Sequence, residues 1–241
     1  MNRFVAVLFG VLAAAPAHAL SVTPVTLEMS SAGKGTRAVI TLTNPSAEPT
    51  AIEPTFERVT LDENGQATRQ PVAGDHFLLM PLQALLPPGA SQTFRLQWVG
   101  PPDIPQSESY FVTFNQLPVQ GLAKRTGLTI LAGFSVAVNV SPLEARPNIA
   151  LVTAALDRTA GKTRPAITVQ NPTPAHALLK HATITIHADG TPYQLDGDTF
   201  AQTYGNGLLQ PWSKRRFVLP IDLPPGTRAI TASIAYRPPA R

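Results

Sequence analysis

Residues 128–140 constrain the fold most, because their side chains alternate in type along the whole segment. Every even position is apolar and most odd positions are small or polar, with Leu131 as the one large exception. Successive side chains of a β-strand point to opposite faces, so this pattern predicts a strand with one continuous apolar stripe. It would be roughly 43 Å long at ~3.3 Å per residue. Ordinary strands stop at about five or six residues. The chain itself or a partner must cover this stripe.

The rest of the chain also favours strands. It has 25 prolines and only 14% charged residues, and its short apolar runs are separated by Pro- and Gly-containing turns. Turn signals at intervals of about 8–12 residues are typical of immunoglobulin-like sandwiches. Two runs contain a proline that should interrupt them: Pro24 predicts an edge or a switch between sheets, and Pro81 divides residues 77–86 into short pieces. We therefore predict an all-β fold.

The sequence divides into two domains. Residues 141–147 contain two prolines and no periodicity, which is typical of a stiff linker. An N-terminal domain would span residues 20–140, and a smaller β-sandwich would span residues 148–241. Residues 1–19 resemble a signal peptide, with Arg3, a short apolar core and a small-x-small cleavage site, which predicts export and a mature start at Leu20.

An internal echo indicates related halves. Residues 41–46 (TLTNPS) resemble residues 168–173 (TVQNPT), and residues 86–89 (LPPG) resemble residues 223–226 (LPPG). The alternative is that Asn-Pro and Pro-Pro-Gly are simply favourable turn sequences.

Composition excludes several functional classes. The full chain contains no cysteine, so it has neither a thiolate nucleophile nor a Cys-based zinc site. Without Arg3, 18 basic residues face 15 acidic ones, a net charge of +3 (18 − 15), and these charges are dispersed. We therefore expect no nucleic-acid interface.

No motif indicates an enzyme. The sequence lacks HExxH, Gly-x-Ser-x-Gly and phosphate-binding glycine patterns, so we expect no catalytic residue, metal or cofactor. His181 and His187 fall on one predicted strand, residues 178–187, about 20 Å apart, which is too far to share a metal. Asp189, Asp196 and Asp198 do not match an EF-hand loop and are expected in solvated turns.

Several ordered segments resemble one family, the periplasmic pilus-assembly chaperones of the chaperone–usher pathway. The matching segments are Pro105 to Pro118, residues 86–89 with Phe94-Arg95-Leu96, the strand 128–140, and Asn171 to Pro174 with Leu209 to Ser213. The resemblance implies two immunoglobulin-like sandwiches arranged at an angle with a cleft between them. It also implies that residues 128–140 are a donor strand lent to pilin subunits that lack their last strand.

The resemblance implies subunit-contacting side chains on the donor strand: Leu128, Ile130, Ala132, Phe134 and Val136. Val138 and Val140 are expected to serve the chain's own core. The implied partners are pilus or fimbrial subunits and an outer-membrane usher, and the implied location is the periplasm. A long apolar edge promotes aggregation, so we also expect the free protein to cap it by self-association or with a loop.

One departure from the family pattern concerns the anchor for the subunit's C-terminal carboxylate. Typical members hold it with an Arg on the first strand and a Lys late in the donor strand. Those positions align here with Pro24 or Val25 and with Ala137. Arg146 in the linker is the remaining candidate, and the departure favours a divergent or archaic-type branch.

Another hypothesis is a secreted two-domain β-sandwich adhesin or carbohydrate-binding module. Its cue would be an aromatic platform formed by Tyr193, Tyr204 and Trp212. An enzyme with an unrecognised hydrolytic site is a further alternative.

Overall fold

The computed structural model describes residues 20–72, 76–118 and 132–239, which are mostly strand. The first domain contains these strands: β1 Ser21–Thr23, β2 Thr26–Ser30, β3 Arg37–Thr43, β4 Thr50–Leu61, β5 Ala67–Pro71, β6 Phe77–Met80, β7 Ala84–Leu86, β8 Ser91–Trp98, β9 Glu108–Leu117 and β10 Gly133–Ser141. They form two sheets, one ordered β1-β3-β8-β6 and the other β2-β10-β9-β4-β5, with β7 also on β4.

Apolar side chains from both sheets fill the first core. Its largest members include the rings of Phe94, Phe114 and Tyr110, and the Phe94 and Phe114 centroids are 4.9 Å apart in an edge-on arrangement. Because each strand alternates inward and outward residues, the two inner faces meet as in other β-sandwiches. The predicted sandwich is confirmed.

Proline divides strands where the sequence predicts it. Pro24 separates β1, which pairs with β3 in one sheet, from β2, which pairs with β10 in the other. A residue without an N–H is tolerated at such a switch because no ladder hydrogen bond is required of it. Pro81 likewise lies between β6 and β7, so residues 77–86 form two short strands.

The second domain is a smaller sandwich with its own core. Its strands are β11 Ala150–Asp157, β12 Arg164–Gln170, β13 Ala177–Leu178, β14 Ala182–Ala188, β15 Thr191–Leu195, β16 Leu208–Leu209, β17 Lys214–Val218 and β18 Ile230–Tyr236. They pair in the orders β11-β12-β17, β13-β16 and β15-β14-β18. Two sandwich domains confirm the predicted fold class.

One local prediction in this domain is wrong, and one short element is unpredicted. Residues 178–187 are not one strand, because a 3-10 helix, Leu179–His181, separates β13 from β14. His181 and His187 therefore lie on different elements. A helix, α1 Gly197–Tyr204, was not predicted from the sequence; the side chain of Asp196 caps it by accepting a hydrogen bond from the Thr199 N–H at 2.7 Å.

The sequence repeat between residues 41–46 and 168–173 corresponds to the same turn structure in both domains. The Asn44 amide donates to the carbonyls of Glu48, Leu86 and Pro87 at 2.8, 3.0 and 3.2 Å, and its Oδ1 accepts from the Ser46 N–H and hydroxyl.

Asn171 repeats this pattern position for position. Its amide donates to the carbonyls of Ala175, Leu209 and Gln210 at 2.7, 3.2 and 3.2 Å, and its Oδ1 accepts from the Thr173 N–H and hydroxyl. Both asparagines are buried, so each one satisfies a set of turn carbonyls inside the protein.

The second echo pairs the wrong segments. Asn44 contacts residues 86–90, whereas Asn171 contacts residues 209–213, so residues 209–213 and not 223–226 are the counterpart of the first Pro-Pro-Gly turn. The Asn44 N–H bonds to Ala90 and the Asn171 N–H to Ser213. The matched position is Gly89 with φ 70° in one domain and Trp212 with φ 60° in the other.

Candidate functional site

Strand β10 has one edge that is only partly paired. It pairs antiparallel with β9 from Gly133 to Val140, and parallel with β2 only from Ala137 onward. No strand among the described residues pairs with the β2-side edge at residues 133–136. An unpaired edge presents backbone N–H and C=O groups on which another chain can form a ladder.

The side chains of β10 change role along the strand. Val136, Val138 and Val140 are 0% exposed inside the first core, which confirms the expectation for the last two. Val136 was expected to contact a subunit, but its burial leaves its side chain unavailable to a partner, since the sandwich itself already surrounds it.

The N-terminal part of the expected donor segment is more accessible. Phe134 is half-buried and packs against the edge of the core, and Ala132, just before the strand, is also half-buried. Leu128 and Ile130, like the signal peptide at residues 1–19, lie outside the described residues. β10 ends at Ser141, one residue into the predicted linker.

No basic side chain occupies the two aligned anchor positions. Ala137 pairs with Thr26, and the Ala137 N–H donates to the Val25 carbonyl at 3.0 Å. The start of β2 therefore lies beside the late part of β10, as the alignment requires, but the side chains there are neutral.

A cavity of about 480 Å³ lies between the two domains, next to β2 and the linker. Its lining includes Lys34 and Arg146, both exposed and both without a hydrogen bond or ion pair among the described residues. Leu143, Leu178 and Tyr236 supply apolar wall. The cavity can therefore accept a group that combines an apolar chain with a negative charge.

His176 joins the domains beside this cavity. It is 4% exposed; its Nδ1 lies 3.0 Å from the Ser141 hydroxyl and 3.1 Å from the Ser107 hydroxyl, and its backbone N–H donates to Ser107. Its Nε2 contacts the carboxylate of Glu28 on β2. One second-domain side chain thus bonds to three first-domain residues, and we name this group of four residues the His176 clasp.

Glu28 is the acidic member of the clasp. Burial alone would raise the pKa of its carboxyl, but the hydrogen bond and charge of His176, with a hydrogen bond from Asn139 at 2.9 Å, hold that pKa below its usual value. Burial and the charge of Lys180 lower the pKa of nearby His181. The centre of the interface therefore contains an acidic side chain that already has a partner.

His176 carries no motif signal in the sequence, because a lone histidine after Asn171-Pro-Thr-Pro matches no motif. The usable signal lies in its position: residues 171–174 echo the 44–46 turn, and His176 directly follows that turn at a domain end. Ser107 and Ser141 were equally unremarkable as isolated serines.

The described residues contain no group of three His, Cys, Asp or Glu side chains placed to hold a metal ion. Asp189 instead accepts hydrogen bonds from the Arg228 and Ala229 N–H groups, and Asp196 caps α1. Across residues 20–72, 76–118 and 132–239, no helix has the length and apolar character needed to cross a membrane.

The aromatic platform of the adhesin hypothesis does not form. Tyr193 and Tyr204 pack against the second core, and the Tyr204 hydroxyl donates to the Val218 carbonyl. Trp212 is 58% exposed and makes no ring contact with either tyrosine. A single exposed ring does not make a stacking surface for sugars.

Solved structures of fimbrial chaperones share this fold. The chain is 16% identical to the class 5 fimbriae chaperone CfaA, with a TM-score of 0.54, covering 92% of this chain and 100% of that one. It is 16% identical to a chain from the complex of the Salmonella enterica SafA pilin with the SafB chaperone, with a TM-score of 0.53 and 86% of each chain covered.

A third similar structure is the CsuC–CsuE chaperone–tip adhesion subunit pre-assembly complex of archaic Csu pili from Acinetobacter baumannii. Identity is 9%, the TM-score is 0.51, and 83% of this chain and 90% of that chain are covered. No protein-family model and no curated protein sequence matches the chain. At these identities the comparisons show the fold that the chain shares with fimbrial chaperones.

Proposed function

We propose that this protein is a non-enzymatic periplasmic chaperone that binds and caps pilus or fimbrial subunits and delivers them to an outer-membrane usher. In this proposal, residues 1–19 direct export and residues 128–140 supply the donor strand. The subunits complete their own sandwich with that strand until another subunit replaces it.

The observation that carries the proposal is that no described strand pairs with the β2-side edge of β10 before Ala137. The segment preceding this edge continues the apolar alternation at Leu128, Ile130 and Ala132. In sheet-edge addition, backbone hydrogen bonds give affinity while alternate side chains fill successive pockets. A buried Leu, Ile or Phe contributes about 1.5–3 kcal/mol, before the cost of ordering the strand.

Ile130→Asp tests the donor strand directly, with Thr129→Asp as the matched control on the opposite face. Each variant would be exported and co-expressed with a candidate pilin subunit. We expect Ile130→Asp to fold and to lose subunit co-purification, because a carboxylate enters an apolar pocket. Thr129→Asp should retain co-purification. Wild-type subunit yield with Ile130→Asp would refute the proposal.

We further propose Arg146 as the anchor for the subunit's C-terminal carboxylate. Its support is a guanidinium at the interdomain cavity that has no hydrogen bond or ion pair among the described residues, and the neutral residues Pro24, Val25 and Ala137 at the aligned positions. Arg146→Ala should weaken subunit binding about tenfold, the loss of one charge-assisted hydrogen bond. Arg228→Ala, at the far turn beside Asp189, is the control. Unchanged affinity of Arg146→Ala would remove this residue from the mechanism.

A further inference from the structure

Strand β4 extends beyond its neighbour β9 at the end of the sheet that meets the second domain. The β4–β9 ladder ends at the pair Arg58–Tyr110, yet β4 runs on to Leu61. On its other side, β4 stays paired with β5 to the end, since Leu61 faces Ala67. The last β4 residues therefore need another partner on the β9 side.

Gln210 of the second domain supplies that partner. Its Oε1 accepts the Leu61 N–H at 2.8 Å, and its Nε2 donates to the Val59 carbonyl at 2.7 Å. A carboxamide that bonds a strand N–H and the carbonyl two residues earlier replaces one peptide unit of the missing neighbour strand. Val59 is 4% exposed, so its carbonyl has little access to water.

The turn between β4 and β5 adds further contacts. The Arg216 N–H donates to the Glu63 carbonyl at 2.8 Å. Arg215 packs so closely on Gly65 that a Cβ there would lie 2.1 Å from its Nη2. We name the contacts of residues 59–65 with residues 210–216 the hairpin strap.

The strap and the His176 clasp join the two domains at different strands of the same sheet. The clasp bonds to β2 and β10 and to Ser107 just before β9, whereas the strap bonds to β4 and the β4–β5 turn. Two separated attachments resist rocking, which a single attachment permits. Asn171 supports both attachments from within the second domain. Its amide donates hydrogen bonds to the Ala175 carbonyl, beside His176, and to the Gln210 carbonyl.

We infer that Gln210 is a positioning residue that fixes the angle between the two domains. Without it, the strap keeps only its contacts on the β4–β5 turn, the Arg216–Glu63 hydrogen bond and the packing of Arg215 on Gly65, so the second domain rotates more freely about the clasp. A consequence that rests on the proposed function is that Gln210 holds the cleft ready for the subunit and thereby raises affinity without touching the subunit.

The test uses Gln210→Met, which keeps the side-chain length and removes both hydrogen bonds, with the shorter Gln210→Ser as a second variant. Gln194→Met on exposed β15 is the matched control. Because the chain has no cysteine, Thr93→Cys and Ser233→Cys place one spin label on each domain. Pulsed electron resonance then gives the interdomain distance distribution of the full exported chain.

We expect a narrow distribution for wild type and Gln194→Met, and a broader one that reaches new distances for both Gln210 variants. Distributions as narrow as wild type in both Gln210 variants would overturn the inference. Subunit affinity should also fall about fivefold in Gln210→Met, the effect of about one hydrogen bond's free energy. If the distribution broadens while the wild type itself binds no subunit, the proposed function fails and the positioning role stands.

Discussion

Replacing Asn171 by alanine should destabilise the second domain by about 2–6 kcal/mol. The substitution removes the donor for three turn carbonyls, and Asn171 itself is 0% exposed. A buried group left without its partner costs about 1–3 kcal/mol, and the two amide hydrogens chiefly satisfy two of the three carbonyls. Domains of this kind are stable by about 5–15 kcal/mol, so the loss would be a large part of the total.

Urea unfolding measures this loss. With Trp212 replaced by phenylalanine in every variant, fluorescence comes from Trp98 alone, which is buried in the first domain, while circular dichroism follows both domains. We expect Asn171→Ala to move the second-domain transition and leave the Trp98 transition in place. Asn44→Ala, which removes the same pattern from the first domain, should do the reverse.

Asn171→Asp separates the donor role from the loss of volume. The carboxylate keeps both acceptor contacts with Thr173 but directs negative oxygen at three carbonyls, so this variant should be less stable than Asn171→Ala. A loss below about 1 kcal/mol in Asn171→Ala would refute the reasoning, given the cost of a buried unpartnered group. Asp and Ala variants of equal stability would also refute it.

Two further substitutions test the interface and the turn. Glu28→Gln should cost about 1 kcal/mol or less at neutral pH, because the Glu28 side chain is 45% exposed. The folded-state pKa of Glu28 lies below the unfolded value near 4.5. The stabilisation is therefore present above pH 4.5 and disappears as the pH falls through the folded-state pKa. Urea midpoints of the wild type and the variant at several pH values measure this dependence. Trp212→Gly should raise second-domain stability by about 1 kcal/mol, because φ 60° strains any residue with a Cβ and the ring is 58% exposed. A lower urea midpoint would show that the ring contributes more than the backbone strain costs.

Strands and their sheets could be predicted because their cause is local. Alternation of apolar residues marks a strand that has one buried face, and a proline without an N–H marks the place where pairing changes. Residues 21–30 show this well, since Pro24 predicts the transfer from one sheet to the other that β1 and β2 make.

Predictions failed where the deciding interaction is distant in sequence. The alternation of residues 178–187 is interrupted by a 3-10 turn whose Leu179 and Lys180 N–H groups bond to Gly207 and Asn206. The turn at 223–226 matches residues 86–89 in letters, but the partner of Asn171 is set by pairing between β13 and β16. Val136 alternates like its neighbours, and only the three-dimensional packing separates it from a side chain left for a partner.

The candidate site also has one part that the sequence predicts and one part that it does not. Alternation identifies the segment that we propose as the donor strand, since the apolar face of a strand is visible in its own sequence. The interdomain contacts have no such pattern, because one glutamine and one histidine acquire partners only after two domains fold and meet.

The paired turns around Asn44 and Asn171 have a consequence for how such a chain can change. In each turn one asparagine carboxamide bonds to the turn carbonyls, so the side chains at the neighbouring positions are not needed for this bonding. Those positions can therefore differ between the two domains. The first turn has Pro87 where the second has Gln210, and Gly89 where the second has Trp212. The two domains therefore carry independently variable copies of one turn, and in the second copy the residue at the Pro87 position, Gln210, bonds to the other domain.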